Sequence, residues 1–461
     1  MVLERSVHRA SERTDRGESP AEVRERLRGL IRRLEAKPVR PSSPIREYRP
    51  RPWGVEEAFA TPAVSGATRE VTRRDTAAGE CWLITERFGL DHHVGSQPLA
   101  DIAHVTPAAY ALLAPDEGAE NAAVEDLVFL DIETTGLGGA GAIAFLVAAG
   151  RFEVSASGAS EFVLRQYLAT SPHEEAGVLR AVLDDYDVQG GDSVLVTYNG
   201  RGFDAPMLDG RATMHRQRAG FDVLRHVDLL TPARTAWRGT IESCRLAIVE
   251  NEVLGLTRPT GEVSGSEVPR DYFRYLRLQD ARVLAPIVEH NALDVVSLAA
   301  ILARFGALIG GAREASALDA VALGRLFAAR GRHDEDARPL GIHWLDRALE
   351  MLPPGSVRDD VALRLAALHR KSGRRDLAEP LWREVATRPD SAIAPLVEIA
   401  KALEHDRRDY PAALEVVDEA LRRAAHLARL DRATASRWRD ALTHRRARLE
   451  RRIKRQTERA R

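Results

Sequence analysis

Apolar and polar positions along the chain change their spacing three times, and each change marks a different kind of element. Near the start, Ser19-Pro20 supplies an N-cap followed by proline at the first helical position. Val23, Leu27, Leu30, Ile31 and Leu34 then recur at helical spacing, which predicts one amphipathic helix ending near Lys37. Pro38, Pro41, Pro44, Pro50 and Pro52 exclude regular structure after it, so residues 1–53 read as a helix and a proline-rich linker. Residues 54–125 are expected as an extension that packs on the domain following them.

From about residue 126 the pattern shortens. Leu127-Val128-Phe129-Leu130 reads as a buried strand, and residues 142–154 and 161–168 as two more, with glycine-rich turns between them; together they predict an antiparallel meander. A helix over about 173–187, a strand over 193–198, a helix from about Asp204, a strand near Val227–Leu229 and a helical stretch to about 307 follow. Strands first and then alternation with helices predict an α/β domain over 126–310, a mixed sheet flanked by helices. After about 315 only helical spacing remains, with an internal repeat. Leu365, Ala366, Gly373, Ala378 and Trp382 are echoed 34 residues later, the glycine excepted, by Ile399, Ala400, Ala412 and Val416, and earlier, across an insertion, by Leu323, Gly324, Phe327 and Gly331. Residues 315–430 therefore read as an all-α domain of helix–turn–helix repeats resembling tetratricopeptide repeats, and 431–461 as a basic helix. A generic helical bundle is the plain alternative.

Three short segments carry candidate chemistry. Asp131 and Glu133 end the first apolar strand, where residues two apart share a face, so both carboxylates point one way while Ile132 packs into the core. Like charges side by side at a buried strand end repel unless a cation is present. The second segment, YNGRGFDAP over 198–206, turns a strand into a helix and brings Asn199 and Asp204 to the same side. In the third, EHNALD over 289–294, His290 and Asp294 lie one helical turn apart. Each alone is a common surface pair or N-cap; their order, each beside an apolar run, is what points to a site.

Composition narrows the class. The chain has 461 residues, enough for roughly three domains, with 44% hydrophobic residues and a formal charge of −1. That neutrality hides an asymmetry: 14 basic against 8 acidic residues over 1–52, 15 against 4 over 421–461, and 38 against 56 between them. Basic ends around an acidic middle suit a nucleic-acid binder with a metal-holding centre, and equally suit solvated arginine-rich helices. Arg445, Arg446, Arg448, Arg451, Arg452, Lys454 and Arg455 on the last helix carry the same two readings. Two cysteines, Cys81 and Cys244, exclude a disulfide framework. The charged first twenty residues and the lack of an unbroken apolar run of about eighteen predict a soluble, cytoplasmic protein with no membrane partner. Cys81, His92, His93 and His104 fit no zinc spacing and read as structural, as do His226 and Asp228. Gly138-Gly139-Ala140-Gly141 lacks the Lys-Ser/Thr ending of a triphosphate-binding loop.

With these residues in view, the sequence resembles the DEDD exonuclease superfamily, which has the ribonuclease H-like fold. The matching residues are Asp131 and Glu133 in DIETTGL, Asp204 in YNGRGFDAPML and Asp294 in HNALD. More closely, CW near 81, DHHVG at 91–95, GGAGAIAFLVAAG at 138–150, GSEVPRDYFRYLR from 265 and HNALDVVSLAAI resemble the bacterial YprB-like ribonuclease H-like domain proteins, over about 80–307. The superfamily's Tyr subclass places its Tyr four residues before the last Asp and its His subclass a His five before; here His290 takes the four-residue spacing.

The resemblance implies a 3′–5′ exonuclease that hydrolyses phosphodiester bonds with two Mg²⁺ or Mn²⁺ ions held by Asp131, Glu133, Asp204 and Asp294. His290 would orient or deprotonate the attacking water, and Thr135, Leu137 and Asn199 would hold the terminal nucleotide. Single-stranded DNA is the expected substrate, in repair or processing, with a helicase as a partner of the helical repeats. The competing expectations are an RNA-trimming exoribonuclease and a non-catalytic nucleic-acid-binding adaptor acting through those repeats.

Overall fold

The computed structural model describes residues 53–61, 67–115, 118–136, 138, 141–186, 193–258, 263–388, 393–427 and 432–460. The amphipathic helix expected near the N-terminus and Leu137 lie outside them.

Among the described residues one sheet of seven strands organises the first half: β1 (Thr68–Thr76), β2 (Gly79–Gly89), β3 (Leu127–Thr134), β4 (Ala144–Val154), β5 (Ser160–Leu168), β6 (Val194–Thr197) and β7 (Arg225–Asp228). Their spatial order is β1-β2-β5-β4-β3-β6-β7, antiparallel from β1 to β3 and parallel from β3 to β7. The expected meander is thus β3-β4-β5, and residues 68–89, from the segment expected to pack on the domain, supply two strands of the sheet itself. A short antiparallel pair, His93–Val94 with Gln97–Pro98, stands apart from it.

Helices cover both faces. They are α1 (Pro107–Leu113), α2 (Glu175–Asp185), α3 (Asp204–Met214), α4 (Leu230–Trp237), α5 (Val268–Leu278) and the long α6 (Ala285–Ile309). Along β3 the alternation is strict: Leu127 and Phe129 join one buried cluster with the middle of α6, while Val128, Leu130 and Ile132 join the other with α2 and α5. Phe129 meets Phe152 and Phe162 edge-on, at 6.0 and 5.6 Å between ring centres. Gly150, paired with Phe129 in the sheet, leaves room for Phe162, because a Cβ there would fall 2.3 Å from that ring. Helix α6 is long and apolar enough to span a membrane, yet 83% of its most apolar window is buried inside the fold, so its apolarity is that of a core helix. Asp294 and Arg304 interrupt its apolar run, which is why the sequence shows no unbroken stretch.

The second half is all-α: α7 (Ala317–Arg330), α8 (Ala337–Met351), α9 (Ser356–Lys371), α10 (Arg375–Ala386), α11 (Ile393–Ala402), α12 (Tyr410–Leu427) and α13 (Arg432–Ala460). Successive helices pack as hairpins. The repeat-forming residues Leu323, Leu365, Ala366, Ala378, Trp382, Ile399 and Ala400 are all buried, and a Cβ on Gly324 would lie 2.7 Å from Leu345 Cδ2, so the α7–α8 crossing needs a glycine. Ser316 starts α7 as an N-cap: its Oγ accepts from Asp319 N at 3.2 Å and the Asp319 carboxylate accepts from Ser316 N at 3.0 Å.

The two halves share a core across residue 315. Ala322 and Leu326 of α7 belong to the same cluster as Phe129 and Trp237, and Trp237 stacks on Phe305 at 5.2 Å. Buried Arg304 donates from Nη2 to both oxygens of buried Asp319, at 2.8 and 3.0 Å. Arg325 Nη1 donates to the carbonyls of Ala236 and Arg238 at the end of α4, at 3.0 and 3.1 Å, and its Nη2 donates to Asp360 Oδ2 at 2.7 Å.

Candidate active site

Three elements bring the acidic residues together. On β3, Asp131 and Glu133 follow Leu127 and Phe129 on the α6 face of the sheet, and pairing with β4 shifts register between Glu133 and Thr134, where the strand leaves the ladder. Parallel to β3, β6 ends at Thr197 and enters the turn to α3. There Asn199 takes φ +74°, and Gly200 sits so close to Thr197 that a Cβ would lie 2.5 Å from its Oγ1. Thr197 Oγ1 accepts from Gly200 N (3.1 Å) and shares a hydrogen bond with buried His226 Nε2 (2.7 Å). Asp228 accepts from the backbone N–H of Asn199 (2.7 Å), Arg201 (3.3 Å) and Leu230 (3.1 Å). His226 and Asp228 thus hold the turn that delivers Asp204 to the first residue of α3, a structural role like the one expected of them.

The third element, α6, presents His290, Asn291 and Asp294. Asn291 is fully buried: its Nδ2 donates to Asp131 Oδ2 (2.7 Å) and its Oδ1 accepts from Gln166 Nε2 (2.9 Å), which also donates to the Val288 carbonyl. The amide of Asn291 therefore has a fixed sense, N toward the carboxylate.

These carboxylates disturb one another. Burial raises the Asp131 carboxyl well above the usual carboxylate range, and the charges of Asp294, Asp204 and Glu133 raise it further against the Asn291 hydrogen bond. Asp204 is pushed up to about 8 by burial and then by Asp228, Glu133 and Asp294. Glu133 is raised to about 7 by burial, with Asp294 adding to this and His290 opposing it. Four acids are within electrostatic reach of each other, and three of them hold their protons to higher pH than an ordinary carboxyl group does. A hard divalent cation would relieve that repulsion, and an all-oxygen, carboxylate donor set is the kind that Mg²⁺ and Mn²⁺ take. As placed, no group of three His, Cys, Asp or Glu side chains among the described residues is drawn tightly enough to hold an ion.

A guanidinium occupies one of the four acids. Arg258 reaches in and ion-pairs with Asp294 and with Glu250, whose carboxylate is fully buried; its Nη2 is 2.7 Å from Glu250 Oε1. Burial raises the Glu250 pKa, and the Arg258 hydrogen bonds and charge oppose that rise. Arg258 Nη1 also lies 3.0 Å from His290 Nδ1. A guanidinium only donates, so Nδ1 accepts and the ring proton sits on Nε2, 3.8 Å from Glu133 Oε1 and 3.7 Å from Asp294 Oδ2. In this arrangement His290 faces the carboxylates as a donor; accepting a proton from water would require the other tautomer.

Among the residues expected to hold a nucleotide, Thr135 closes the turn after β3: its N–H donates to the Ile143 carbonyl (2.9 Å) and its Oγ1 accepts from Ile143 N (3.0 Å). Asn199 is exposed at the β6–α3 turn. Sequence reasoning missed Asn291, Gln166, Glu250 and Arg258. Helix arithmetic could have found Asn291, three residues before Asp294 and so on the same face. Glu250 opens a single π-helical turn, Glu250–Leu254, and Arg258 lies in the irregular segment after it, so nothing in their spacing marks them.

A family model described as the RNase H superfamily matches residues 128–305, the span from β3 to the end of α6. An uncharacterized protein of Bacillus subtilis (strain 168), YprB, is 30% identical over 308 residues, covering 66% of this chain and 70% of that protein.

Proposed function

Since this chain belongs to the RNase H superfamily, in the group that includes YprB, we propose that it is a metal-dependent 3′–5′ exonuclease acting on single-stranded nucleic acid, DNA in preference to RNA. The observation that carries the reading is the gathering of Asp131, Glu133, Asp204 and Asp294 where the interior strand β3, the turn after β6 and helix α6 meet, with Asp131, Glu133 and Asp204 raised by burial and like charge. These four residues would hold Mg²⁺ or Mn²⁺. Two such ions, when bound, activate water and stabilise the leaving 3′ oxygen of a phosphodiester.

The chain's own residues do the rest. Asn291 fixes the orientation of Asp131, and Asp228 fixes the turn that delivers Asp204, so two of the acids are set before any ligand arrives. His290 turns Nε2 toward Glu133 and Asp294 at 3.8 and 3.7 Å, leaving room to orient a water between them, and takes a proton there only when its tautomer changes. Asn199, exposed at the turn, is the group best placed to meet a terminal nucleotide. The helical hairpins of 317–427 read as tetratricopeptide-like repeats that engage a protein partner.

Hydrolysis of an end-labelled single strand with Mg²⁺ or Mn²⁺, comparing wild type with Asp131→Ala and Asp294→Asn, tests the reading. Loss of activity in both variants is expected, and equal activity in all three proteins would overturn it. Labels at the 3′ and 5′ ends, on RNA and DNA of one sequence, read polarity and sugar preference. The pairing of Arg258 with Asp294 favours one second reading, a non-catalytic nucleic-acid-binding adaptor in which a guanidinium permanently takes the place of metal; inactivity of the wild type at every metal concentration would select it.

A further inference from the structure

The helical half contains a cavity of about 650 Å³ where α7, α9 and the start of α10 meet. Its floor is small and apolar, Ala328, Ala329, Ala367 and Leu368, and every charged residue lining it is a cation: Arg332, Arg364, Arg370, Lys371 and Arg375. Three of these have surface partners: Arg364 with Asp360 (2.8 Å), Arg370 with Glu398 (2.9 Å) and Arg375 with Asp406. Their side chains are 43, 46 and 56% exposed. Ion pairs so wet contribute little and exchange readily for a better anion. Arg332 and Lys371 pair with no carboxylate among the described residues; Lys371 Nζ instead donates to the Arg332 carbonyl, which places the two at one spot.

Arg332 and Lys371 thus stand beside three cations held only by exposed ion pairs, which leaves the concavity with a net positive charge. An anion with several negative centres would resolve it. The depression continues past Arg370 and Arg375 into a second one that adds Lys401 and Trp382 and is also lined by Glu398 and Asp406, so the uncompensated positive charge is concentrated around Arg332 and Lys371. We propose that this groove binds the phosphates of a nucleic-acid strand, as a second contact on the substrate apart from the acidic centre. The choice of a nucleic acid over an acidic peptide rests on the nuclease reading. The groove's capacity for phosphate rests on its own geometry: planar guanidinium groups match phosphate oxygens two at a time, and small floor residues let a backbone approach.

The test uses the full-length protein in EDTA, where hydrolysis is stopped, with a fluorescent 30-nucleotide single strand and anisotropy measured across a salt series. The variant Arg332→Glu/Lys371→Glu is expected to bind at least tenfold more weakly at low salt. Its slope of log affinity against log salt should fall by about 1.4, from roughly 0.7 per phosphate contact on a single strand. Should the reversal perturb folding, seen as a changed melting temperature, Arg332→Gln/Lys371→Gln replaces it, with half the affinity loss expected. Unchanged affinity and slope in a folded variant would overturn the proposal. So would competition by poly-glutamate stronger than by an equal charge of oligonucleotide, which would assign the groove to acidic peptides, or saturation by inorganic phosphate alone, which would assign it to a small anion. Cleavage of a nucleotide p-nitrophenyl ester with Mn²⁺, too short to reach the groove, should be equal in variant and wild type. If neither protein cleaves it, the nuclease reading fails while the binding result still stands by itself.

Discussion

Arg258 and Asp294 form an ion pair at the edge of the acidic centre, and the same guanidinium neutralises fully buried Glu250. A divalent cation bound by Asp294 must therefore displace or share Asp294 with an internal positive charge. Arg258→Ala should cost about 3–5 kcal/mol of stability, because it leaves Glu250 buried without a partner. The matched double change Arg258→Met/Glu250→Leu should recover most of that loss and lower the Mn²⁺ concentration for half-saturation. Thermal denaturation reads the first outcome and calorimetric titration the second. If Mn²⁺ affinity were unchanged in the double variant, Arg258 would not compete with metal.

The raised acids give stability a pH slope of definite sign. An acid whose pKa is higher folded than unfolded binds more protons in the native state between the two values, so stability falls as pH rises through that interval. For Asp204 the interval runs from the ordinary carboxylate range up to about 8, and for Glu133 up to about 7. In EDTA the melting temperature should fall between pH 5 and pH 8, Asp204→Asn should flatten the decline, and Mn²⁺ should reverse it at pH 8 in the wild type alone.

Asn291 separates positioning from chemistry. Its amide joins Asp131 to Gln166 inside the core. Asn291→Leu should lower activity about 10–100-fold, as loss of an orienting partner does at metal sites. It should cost about 1–3 kcal/mol of stability through the stranded Gln166 amide and Asp131. Gln166→Leu should reproduce part of the activity loss although its side chain does not touch Asp131. Rates measured at saturating Mn²⁺ distinguish this from simple loss of metal.

A deletion of 315–461 would remove Ala322 and Leu326 from the core that holds Phe129 and Trp237, and would strand buried Arg304 without Asp319. The truncated protein should be insoluble. A chain ending after α8 keeps α7, Arg304–Asp319 and the Trp237–Phe305 stack, and should remain soluble, as gel filtration would report. Arg325 loses only Asp360 in that chain and keeps its carbonyl partners on α4.

The strand carrying Asp131 and Glu133, the turn carrying Asp204 and the helix carrying Asp294 were legible because each chemical residue follows an apolar run of clear period. The sheet order could be read only in part. A meander follows from consecutive strands, but nothing local says that β1 and β2 extend it beyond β5, since that pairing joins residues some 80 positions apart. Glu250 and Arg258 were illegible for the same reason: their meaning lies in a tertiary meeting with Asp294, on an element with no repeat to betray its facing. The boundary near 315 looked natural because the pattern becomes purely helical there, whereas packing does not change until later.

Helix α6 holds His290, Asn291 and Asp294 near one end and Arg304 near the other, ten residues on from Asp294 and so about 15 Å along a single rod. No swivel separates the acidic end from the buried clasp to α7. Heat inactivation should consequently coincide with global melting instead of preceding it, and a loosened clasp should be felt as blunted turnover at a distance, with the carboxylates themselves untouched.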